Sequence, residues 1–415
     1  MDIIKDLVRW CAELDIPGDT RAMLRWLTVP AGVAAGWLPF VWVFLFTSMS
    51  AMKAPEAPWW ERARAIFAIR SSAGSTLGLA MLPALMVLAG GWRYSSGAAI
   101  ASAVGMGLVS WLTAGITARW LDDHLVRKPF VLHRTVAALG PSLLLYGALM
   151  TIFITATFAG GKEWNLRLVV AVAGGLLACQ VWLYHVLPRV LRWLTDDPPQ
   201  WIAEAVQAAA PPGSIPPPIR ILRSDAVNAF AVIRHGWIGF TRGAVAHLTP
   251  EEITCIARHE MAHLSEPASE VRRRQRGLLV FVPLFLISPL IATFGFVVGL
   301  IIACASSRII GHLLSGHSRR MEARADAAGA GDDAATYART LQRIYELNVV
   351  PVVIGMSGQS HPDLYDRMLA AGVQPDYPRP PAPSRMAARA ANLAGFITML
   401  IAGILWALFL DIRHW

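Results

Sequence analysis

The residues with the clearest capacity for chemistry are His259–His263 (HEMAH), an H-E-x-x-H pattern. On a helix, two histidines four positions apart project from the same face, so both imidazoles can bind one metal ion. The glutamate beside the first histidine then lies near the metal, where it can accept a proton from an attacking water. The pattern therefore indicates zinc-assisted hydrolysis with Glu260 as general base.

This chemistry requires a helix, and the residues before the motif carry the signals that start one. Thr249–Glu252 (TPEE) supplies an N-cap threonine, a proline at the first helical position and a glutamate at the third. Apolar Ile253, Ile256 and Leu264 then recur with the helical period of about 3.6 residues. We therefore predict that the motif lies on a helix within residues 242–265.

A third metal ligand must come from elsewhere in the chain, because catalytic zinc usually has three protein ligands and one open position. Glu322 is the best candidate. It lies on a predicted helix (316–330), with Asp326 one turn later, where a carboxylate can orient a ligating histidine. An E-x-x-x-D pair alone is also typical of a solvated helix face. His312 and His317 remain alternative ligands, because they are close to Glu322 in the chain.

The wider composition is not that of a soluble domain. Of the 415 residues, 55% are hydrophobic and 16% are charged, whereas ordinary globular domains have about 25% charged residues. Apolar segments near the 20 or so residues that cross a bilayer precede residue 190, and one lies near the C-terminus. They are residues 28–49, 74–91, 97–118, 137–159, 167–187 and 393–410. We predict a multi-pass α-helical membrane protein, with the lipid bilayer as a partner, in a bacterial inner membrane.

The distribution of charge bears on partners and orientation. The formal net charge is +9, but the basic residues lie mainly between apolar segments, so we expect no nucleic-acid partner. Loops 50–73 and 119–136 each have four Lys and Arg residues, whereas loops 92–96 and 160–167 have one and two. Because cytoplasmic loops carry the excess of basic residues, the catalytic region is predicted to lie in the cytoplasm.

After the first apolar segments, the character of the chain changes. Residues 196–218 include seven prolines, which predicts a boundary and a linker. Stretches rich in β-branched and aromatic residues follow at 219–224, 228–233 and 236–241, and helical patterns follow these, including 333–347. This part of the chain is predicted to be an α+β catalytic domain.

An uncharged stretch of 31 residues, Gly277–Ser307, interrupts that domain. A single straight helix of this length would be about 46 Å long, which exceeds the roughly 30 Å hydrocarbon core of a bilayer. Glu322 can reach the same metal as the two histidines only if the chain returns to the side that it left. We therefore predict a two-helix membrane hairpin or a re-entrant excursion here.

The chain is thus predicted to divide into seven parts. They are an N-terminal tail (1–27), a five-helix transmembrane region (28–190), a proline-rich linker (191–218), a first catalytic part (219–276), the membrane insert (277–307), a second catalytic part (308–385) and a C-terminal transmembrane helix (391–411).

Residues 219–370 resemble the HtpX and CAAX prenyl protease family of membrane zinc endopeptidases. Four features match that family in the same order along the chain. They are Asn228-Ala229-Phe230 in a strand, the H-E-x-x-H helix, Glu322 with Asp326, and His361-Pro362 followed by Arg367. The combination is far more specific than any single motif. It implies a zincin-like α+β catalytic domain interrupted by a membrane hairpin.

The resemblance implies one zinc ion per chain, with His259, His263 and Glu322 as its ligands. Glu260 would be the general base, and Asp326 would orient a ligating histidine. The implied activity is hydrolysis of peptide bonds in membrane or membrane-associated proteins, so the expected partner is a protein or peptide substrate.

The remaining matched residues would act on the substrate. By the same resemblance, His361 and Arg367 would lie beside the metal and stabilise the oxyanion. Asn228, Ala229 and Phe230 would line the substrate cleft, where an exposed strand edge can bind the substrate backbone by strand addition.

Three other functions fit parts of the pattern. An intramembrane-cleaving protease is one, although charged Glu251, Arg258 and Glu266 around the motif favour a helix at or outside the membrane interface. A signal-transducing receptor is another, and a non-catalytic membrane scaffold or chaperone that retains a metal site is the third. Glu260 discriminates against the last, because a structural zinc site does not need a base.

Overall fold

The computed structural model describes four stretches of the chain and several isolated positions. The stretches are residues 57–67, 166–276, 282–355 and 362–384, and the isolated positions lie between 112 and 132 and at 279 and 393. Five of the predicted membrane segments, at 28–49, 74–91, 97–118, 137–159 and 393–410, lie wholly or almost wholly outside the described residues.

The chain divides into two compact units. One comprises Met1–Leu143 with Pro383–Trp415, and the other comprises Leu144–Ala382. In the first unit, a helix covers residues 59–67 and buries Ala63 and Ile66. Nearly all other described residues belong to the second unit, which contains both metal motifs.

The second unit combines helices with one small sheet, and its described helices are numbered in chain order. They are α1 (Leu166–Val181), α2 (Leu187–Trp193), α3 (Gln200–Ala209), α4 (Arg242–His247), α5 (Pro250–Leu264), α6 (Ala268–Gln275), α7 (Val282–Phe285), α8 (Ile287–Phe294), α9 (Phe296–Ala330), α10 (Ala334–Leu347) and α11 (Leu364–Ala370). A π-helical turn, Trp182–Val186, joins α1 to α2. Among the described helices, none has both the length and the apolar character required to cross a membrane.

The sheet has four strands in the order β1-β2-β4-β3: β1 (Thr195–Asp196), β2 (Ile219–Leu222), β3 (Ala229–Val232) and β4 (Trp237–Thr241). β2 and β4 are parallel, whereas the two outer strands pair antiparallel with their neighbours. Every residue of β4 is buried, as expected for a central strand, and β3 forms an edge. The three strands predicted between 219 and 241 are confirmed.

The α5 helix begins as its sequence predicts. Thr249 and Glu252 form a reciprocal capping box, with Pro250 at the first helical position. Ile253, Ile256 and Ala257 are buried on one side of the helix. Full burial of an aliphatic side chain the size of Ile253 stabilises a fold by roughly 1.5–3 kcal/mol, so this side holds α5 in the domain. The predicted helical region 242–265 is divided into α4 and α5 at Leu248–Thr249.

Residues 191–218 differ from the linker that their prolines predict. They contain strand β1 and helix α3, and α3 buries Ile202, Val206 and Ala209. The α3 and α5 helices pack together, and the hydroxyl of Thr254 donates to the carbonyl of Ala205, 3.2 Å away. The prolines lie on either side of α3 rather than inside it, so they permit a helix that tertiary packing then stabilises.

The region of the predicted insert contains α7, α8 and the beginning of α9. Both α7 and α8 pack against α9, so the chain reverses direction at Gly295, the residue between α8 and α9. Gly295 has a φ of 81°, a left-handed backbone conformation that strongly favours glycine. The α9 helix then runs without interruption for 35 residues into the catalytic part of the chain, where it packs on α5. The helix predicted at 316–330 is the end of this longer helix.

Candidate active site

The α5 helix places His259, Glu260 and His263 at the wall of a cleft of about 330 Å³. All three residues are buried, with 7–8% of their surface exposed. Because the histidines are one helical turn apart, their rings meet edge to face, and their Nε2 atoms are 3.2 Å apart. Two imidazole nitrogens therefore point at the same position, as the spacing of the motif predicts.

The α9 helix supplies the third donor. Oε2 of Glu322 is 3.7 Å from Nε2 of His259 and 3.6 Å from Nε2 of His263. Tetrahedral zinc with ligand bonds of about 2.0–2.1 Å holds its ligands about 3.3 Å apart, and the observed separations lie on either side of this value. The donor types and their geometry thus fit one zinc ion with two histidines and one glutamate. Within the described residues, this trio is the only set of three potential ligands found at such spacing.

Asp326 and Tyr337 surround the outer nitrogen of His259. Oδ1 of Asp326 is 3.3 Å from Nδ1 of His259, and the Tyr337 oxygen is 2.8 Å from the same nitrogen. The Tyr337 hydroxyl donates to Oδ1 of Asp326 at 2.8 Å. The Nδ1 atom is therefore occupied by oxygen partners, which leaves Nε2 directed at Glu322 and the metal position. Asp326 therefore lies beside the ring of a candidate metal ligand.

The second histidine has a carboxylate of its own. Nδ1 of His263 is 2.8 Å from Oε1 of Glu266, whose side chain is 6% exposed. Burial lowers the pKa of His263, but the carboxylates of Glu322 and Glu266 outweigh that effect and raise it to about 9. Glu266 is a positioning residue that the sequence analysis missed. It lies beyond the end of α5, so helical spacing does not predict its contact.

Arg367, on α11, contacts the carboxylate that orients His259. Its Nε donates to Oδ2 of Asp326 at 2.9 Å, and its Nη2 donates to Oδ1 of the same carboxylate and to the Tyr337 oxygen. Burial alone would raise the pKa of Asp326. The hydrogen bond with His259 and the charge of Arg367 outweigh burial and lower that pKa. Asp326 is thus held ionised against His259.

Tyr337 approaches α9 closely because of Gly329. A Cβ at that glycine would lie 2.5 Å from the Tyr337 ring, so any larger residue would displace the ring. Burial raises the pKa of the Tyr337 phenol, which keeps its hydroxyl protonated as a hydrogen-bond donor. The sequence analysis did not identify Tyr337, because nothing in its local sequence distinguishes it from a core tyrosine.

Glu260 lies on the side of α5 that faces strand β3. Burial raises the pKa of Glu260, and the nearby His259 and His263 and the backbone N–H of Ala231 oppose that rise. The carboxyl lines the same cleft as the three candidate ligands. It is therefore in place to exchange a proton with a molecule bound there.

Strand β3 forms another wall of the cleft, with Asn228, Ala229 and Phe230 among its lining residues. The backbone carbonyl of Asn228 accepts a hydrogen bond from the N–H of Thr241, so the backbone polar groups of Asn228 point towards β4. Because the backbone direction alternates along a strand, the N–H and C=O of Ala229 point to the outer edge. The Phe230 ring covers Gly239 on β4 and meets Trp237 edge to face, so its contacts within the sheet fix its position.

The structure brings together most of the residues predicted for the site. One cleft is lined by Glu260, Arg367, the three predicted ligands, and Asn228, Ala229 and Phe230. His361 lies outside the described residues, and the side chains of His312 and His317 do as well. Ile256, Leu341 and Ile344 complete the cleft with an apolar surface that the sequence analysis did not predict.

Comparison with known proteins identifies the family of this domain. Residues 197–372 match the family model described as Peptidase family M48. These residues contain both metal motifs, and they form a metalloprotease domain of peptidase family M48, whose members depend on zinc. The recognition of this family from sequence is confirmed, and so is the prediction of a zincin-like domain that mixes helices and sheet.

The fold also resembles a solved structure, the crystal structure of S. mikatae Ste24p. The TM-score is 0.56 at 16% sequence identity, and the match covers 84% of this chain and 99% of that chain. Because the sequence identity is only 16%, this similarity shows a shared fold and no more. No curated protein sequence matches the chain significantly.

Proposed function

We propose that this protein is a membrane-bound zinc endopeptidase that cleaves peptide bonds in membrane or membrane-associated proteins. The observation that carries the proposal is the position of Glu260 beside a trio of ligand atoms in one cleft. Structural zinc sites are usually closed by four protein ligands and need no base. Three ligands with an adjacent carboxyl are typical of catalytic sites.

The proposed chemistry divides between the metal and Glu260. One zinc ion per chain, held by His259, His263 and Glu322, would supply the Lewis acid that polarises the scissile carbonyl and acidifies the attacking water. Glu260 takes the proton from that water and delivers it to the leaving amine. The raised pKa of Glu260 suits both steps, because the carboxyl must hold the proton between them.

For Arg367, the contacts favour a positioning role over the direct oxyanion role that the resemblance implies. Two of its nitrogens are engaged by the carboxylate of Asp326, and its side chain is 8% exposed. We propose that Arg367 fixes Asp326 and, through it, the ring of His259. The direct stabilisation of the oxyanion is then assigned to His361, on the resemblance alone.

The edge of β3 is the proposed binding site for the substrate backbone. The outward N–H and C=O of Ala229 are free of the β4 ladder, and the strand borders the cleft that contains Glu260. An extended peptide that pairs with this edge would lie alongside the metal position. The apolar side chains of Ile256, Leu341 and Ile344 would face side chains of that peptide.

The membrane location is proposed from the sequence and the resemblance. The apolar segments would place the protein in a bacterial inner membrane, and the basic loops would place the M48 domain in the cytoplasm. The reversal at Gly295 supports an insert that leaves and re-enters on the same side, because α9 brings Glu322 back to α5.

Metal stoichiometry of the detergent-purified full chain tests the proposal without knowledge of the substrate. We expect about one zinc per wild-type chain and a strong loss in His259→Ala and Glu322→Ala. His247→Ala is the matched control, because His247 is exposed at the end of α4. Absence of zinc from the wild type, even after reconstitution, would leave a non-catalytic scaffold as the better account.

Glu260→Gln tests whether the site is catalytic. The glutamine amide has nearly the same shape as the glutamate carboxylate and Glu260 is not a proposed ligand, so the variant should retain zinc. It should lose cleavage of an unfolded reporter protein such as β-casein, because an amide cannot accept the proton. Equal cleavage by Glu260→Gln and wild type would exclude Glu260 as the base.

A further inference from the structure

A second cavity, of about 270 Å³, lies where α2 meets the sheet. It is lined by Pro188, Arg189, Arg192, Pro218, Arg220, His235 and Trp237. Among these lining residues, all of which the structure describes, three are arginines and none is acidic. The proposed peptidase activity assigns no role to any of them.

The cavity is lined by basic side chains on one part of its surface and by apolar side chains on another. Pro188 and Trp237 are buried, and Trp237 is only 7% exposed. Arg189 and Arg192 are exposed on one turn of α2, and Arg220 reaches the cavity from β2. Arg220 pairs with Asp197, so the excess positive charge at the cavity comes from Arg189 and Arg192. The cavity thus fits a ligand with an anionic group joined to an apolar body.

The helix that leads to the cavity has an exposed apolar surface. Leu166, Val169, Leu177 and Val181 on α1 are 43–76% exposed. No Asp, Glu, Lys or Arg occurs between residues 168 and 188, and Arg189 is the first charged residue after that run. An apolar helix followed at once by arginines is the arrangement found where a chain meets the headgroups of a bilayer.

We propose that this cavity binds the phosphate group of an anionic phospholipid, with its glycerol and acyl region against Pro188, Trp237 and the apolar face of α1. Guanidinium groups bind phosphate through paired N–H donors, which accounts for the arginines. The apolar wall accounts for a lipid rather than a free phosphate ion. This binding is independent of zinc and of peptide hydrolysis.

Trp237 connects this cavity to the sheet of the catalytic cleft. Its ring meets the Phe230 ring edge to face, with centroids 5.6 Å apart, and Phe230 lines that cleft. A lipid held against Trp237 would therefore fix the sheet at the membrane surface beside its substrates.

Binding of fluorescent, tail-labelled phosphatidylglycerol to the full chain in neutral detergent micelles tests the proposal. The probe with a phosphatidylcholine headgroup and an excess of inorganic phosphate distinguish the possible sources of the anion. Each basic residue near an anionic lipid surface contributes about 1 kcal/mol, which corresponds to about fivefold in affinity. We expect about fivefold weaker binding for Arg192→Gln and about 30-fold weaker binding for Arg189→Gln/Arg192→Gln.

Arg339→Gln is the matched control, because Arg339 is exposed on α10 and lies outside the cavity. It should bind phosphatidylglycerol within about twofold of wild type, since a charge on another surface contributes little. A far-UV circular dichroism spectrum and a gel-filtration profile like those of the wild type show that a variant is folded. The single variant is used if the double variant does not fold.

Three results would overturn the proposal. One is equal affinity for phosphatidylglycerol and phosphatidylcholine in the wild type. Another is an equal change in affinity for phosphatidylglycerol in Arg339→Gln and Arg192→Gln, which would indicate nonspecific electrostatic attraction to the lipid. The third is displacement of the lipid by inorganic phosphate, which would assign the site to a free anion. None of these results depends on whether the metal site is active.

Discussion

Oδ1 of Asp326 lies 3.3 Å from Nδ1 of His259, and the same carboxylate accepts two hydrogen bonds from Arg367. The carboxylate therefore joins a candidate metal ligand on α5 to a buried arginine on α11. Tyr337 closes the cluster, because its hydroxyl donates to Asp326 and its oxygen lies 2.8 Å from His259. The orientation of His259 thus depends on three helices at once.

Asp326→Asn should weaken zinc binding without removing a ligand. The amide is neutral and cannot hold the His259 ring as the carboxylate does, and loss of such partners typically costs 10–100-fold in metal affinity. Competition with a zinc chelator measures the change. Asp332→Asn, at an exposed position in the turn after α9, should bind zinc like the wild type. Equal affinities for Asp326→Asn and wild type would contradict the positioning role.

Arg367→Gln should destabilise the protein by about 3–5 kcal/mol, because it leaves the buried carboxylate of Asp326 without its charge partner. Denaturant unfolding measures this change. Arg367→Lys retains the charge but not the paired N–H donors that grip one carboxylate.

The lysine variant separates the two roles considered for Arg367. If Arg367 positions Asp326, Arg367→Lys should lose zinc affinity, as Arg367→Gln does. If Arg367 contacts the oxyanion directly, Arg367→Lys should keep zinc at wild-type affinity and recover part of kcat relative to Arg367→Gln. The second pattern would refute the positioning role.

Zinc affinity should rise with pH. Without metal, His263 has a pKa of about 9, so it carries a proton that zinc must displace. Below that pKa the deprotonated fraction, which can bind zinc, falls about tenfold per pH unit. The apparent affinity should therefore fall about tenfold per unit as the pH decreases, and level off above about pH 9. Glu266→Gln removes one cause of the raised pKa and should move the plateau to lower pH. An affinity independent of pH from about 6 to 8 would be inconsistent with a protonated His263.

Ala229→Pro should impair cleavage while zinc remains bound. Proline removes an N–H that points to the outer edge of β3, so the ladder with β4 loses no hydrogen bond. Loss of one backbone hydrogen bond to the substrate should reduce kcat/KM by about tenfold. Ala229→Val keeps the N–H and is the control. A normal kcat/KM for the proline variant, with zinc retained, would argue against strand addition at this edge.

The local features of this protein are determined by its sequence alone. The capping box at Thr249 and Glu252 starts α5, and the four-residue spacing of His259 and His263 directs both rings to one position. These features involve residues within one or two helical turns, so tertiary contacts are not needed to predict them. The β-branched and aromatic stretches likewise predict the three strands of residues 219–241. The spacing of Glu322 and Asp326 on a predicted helix made them candidates, and the resemblance to a family supported them.

The partners of the site come from tertiary structure. His259 meets Tyr337 across 78 residues of chain, and Asp326 meets Arg367 across 41. No local pattern predicts such contacts, because they exist only when α5, α9, α10 and α11 pack together. Packing against α5 also stabilises α3, although the prolines on either side of it predict a linker. The backbone at Gly295 reverses the chain, so α9 carries Glu322 to α5. The sequence thus determined which residues can bind a metal, and the packing of distant helices decided what holds them in place.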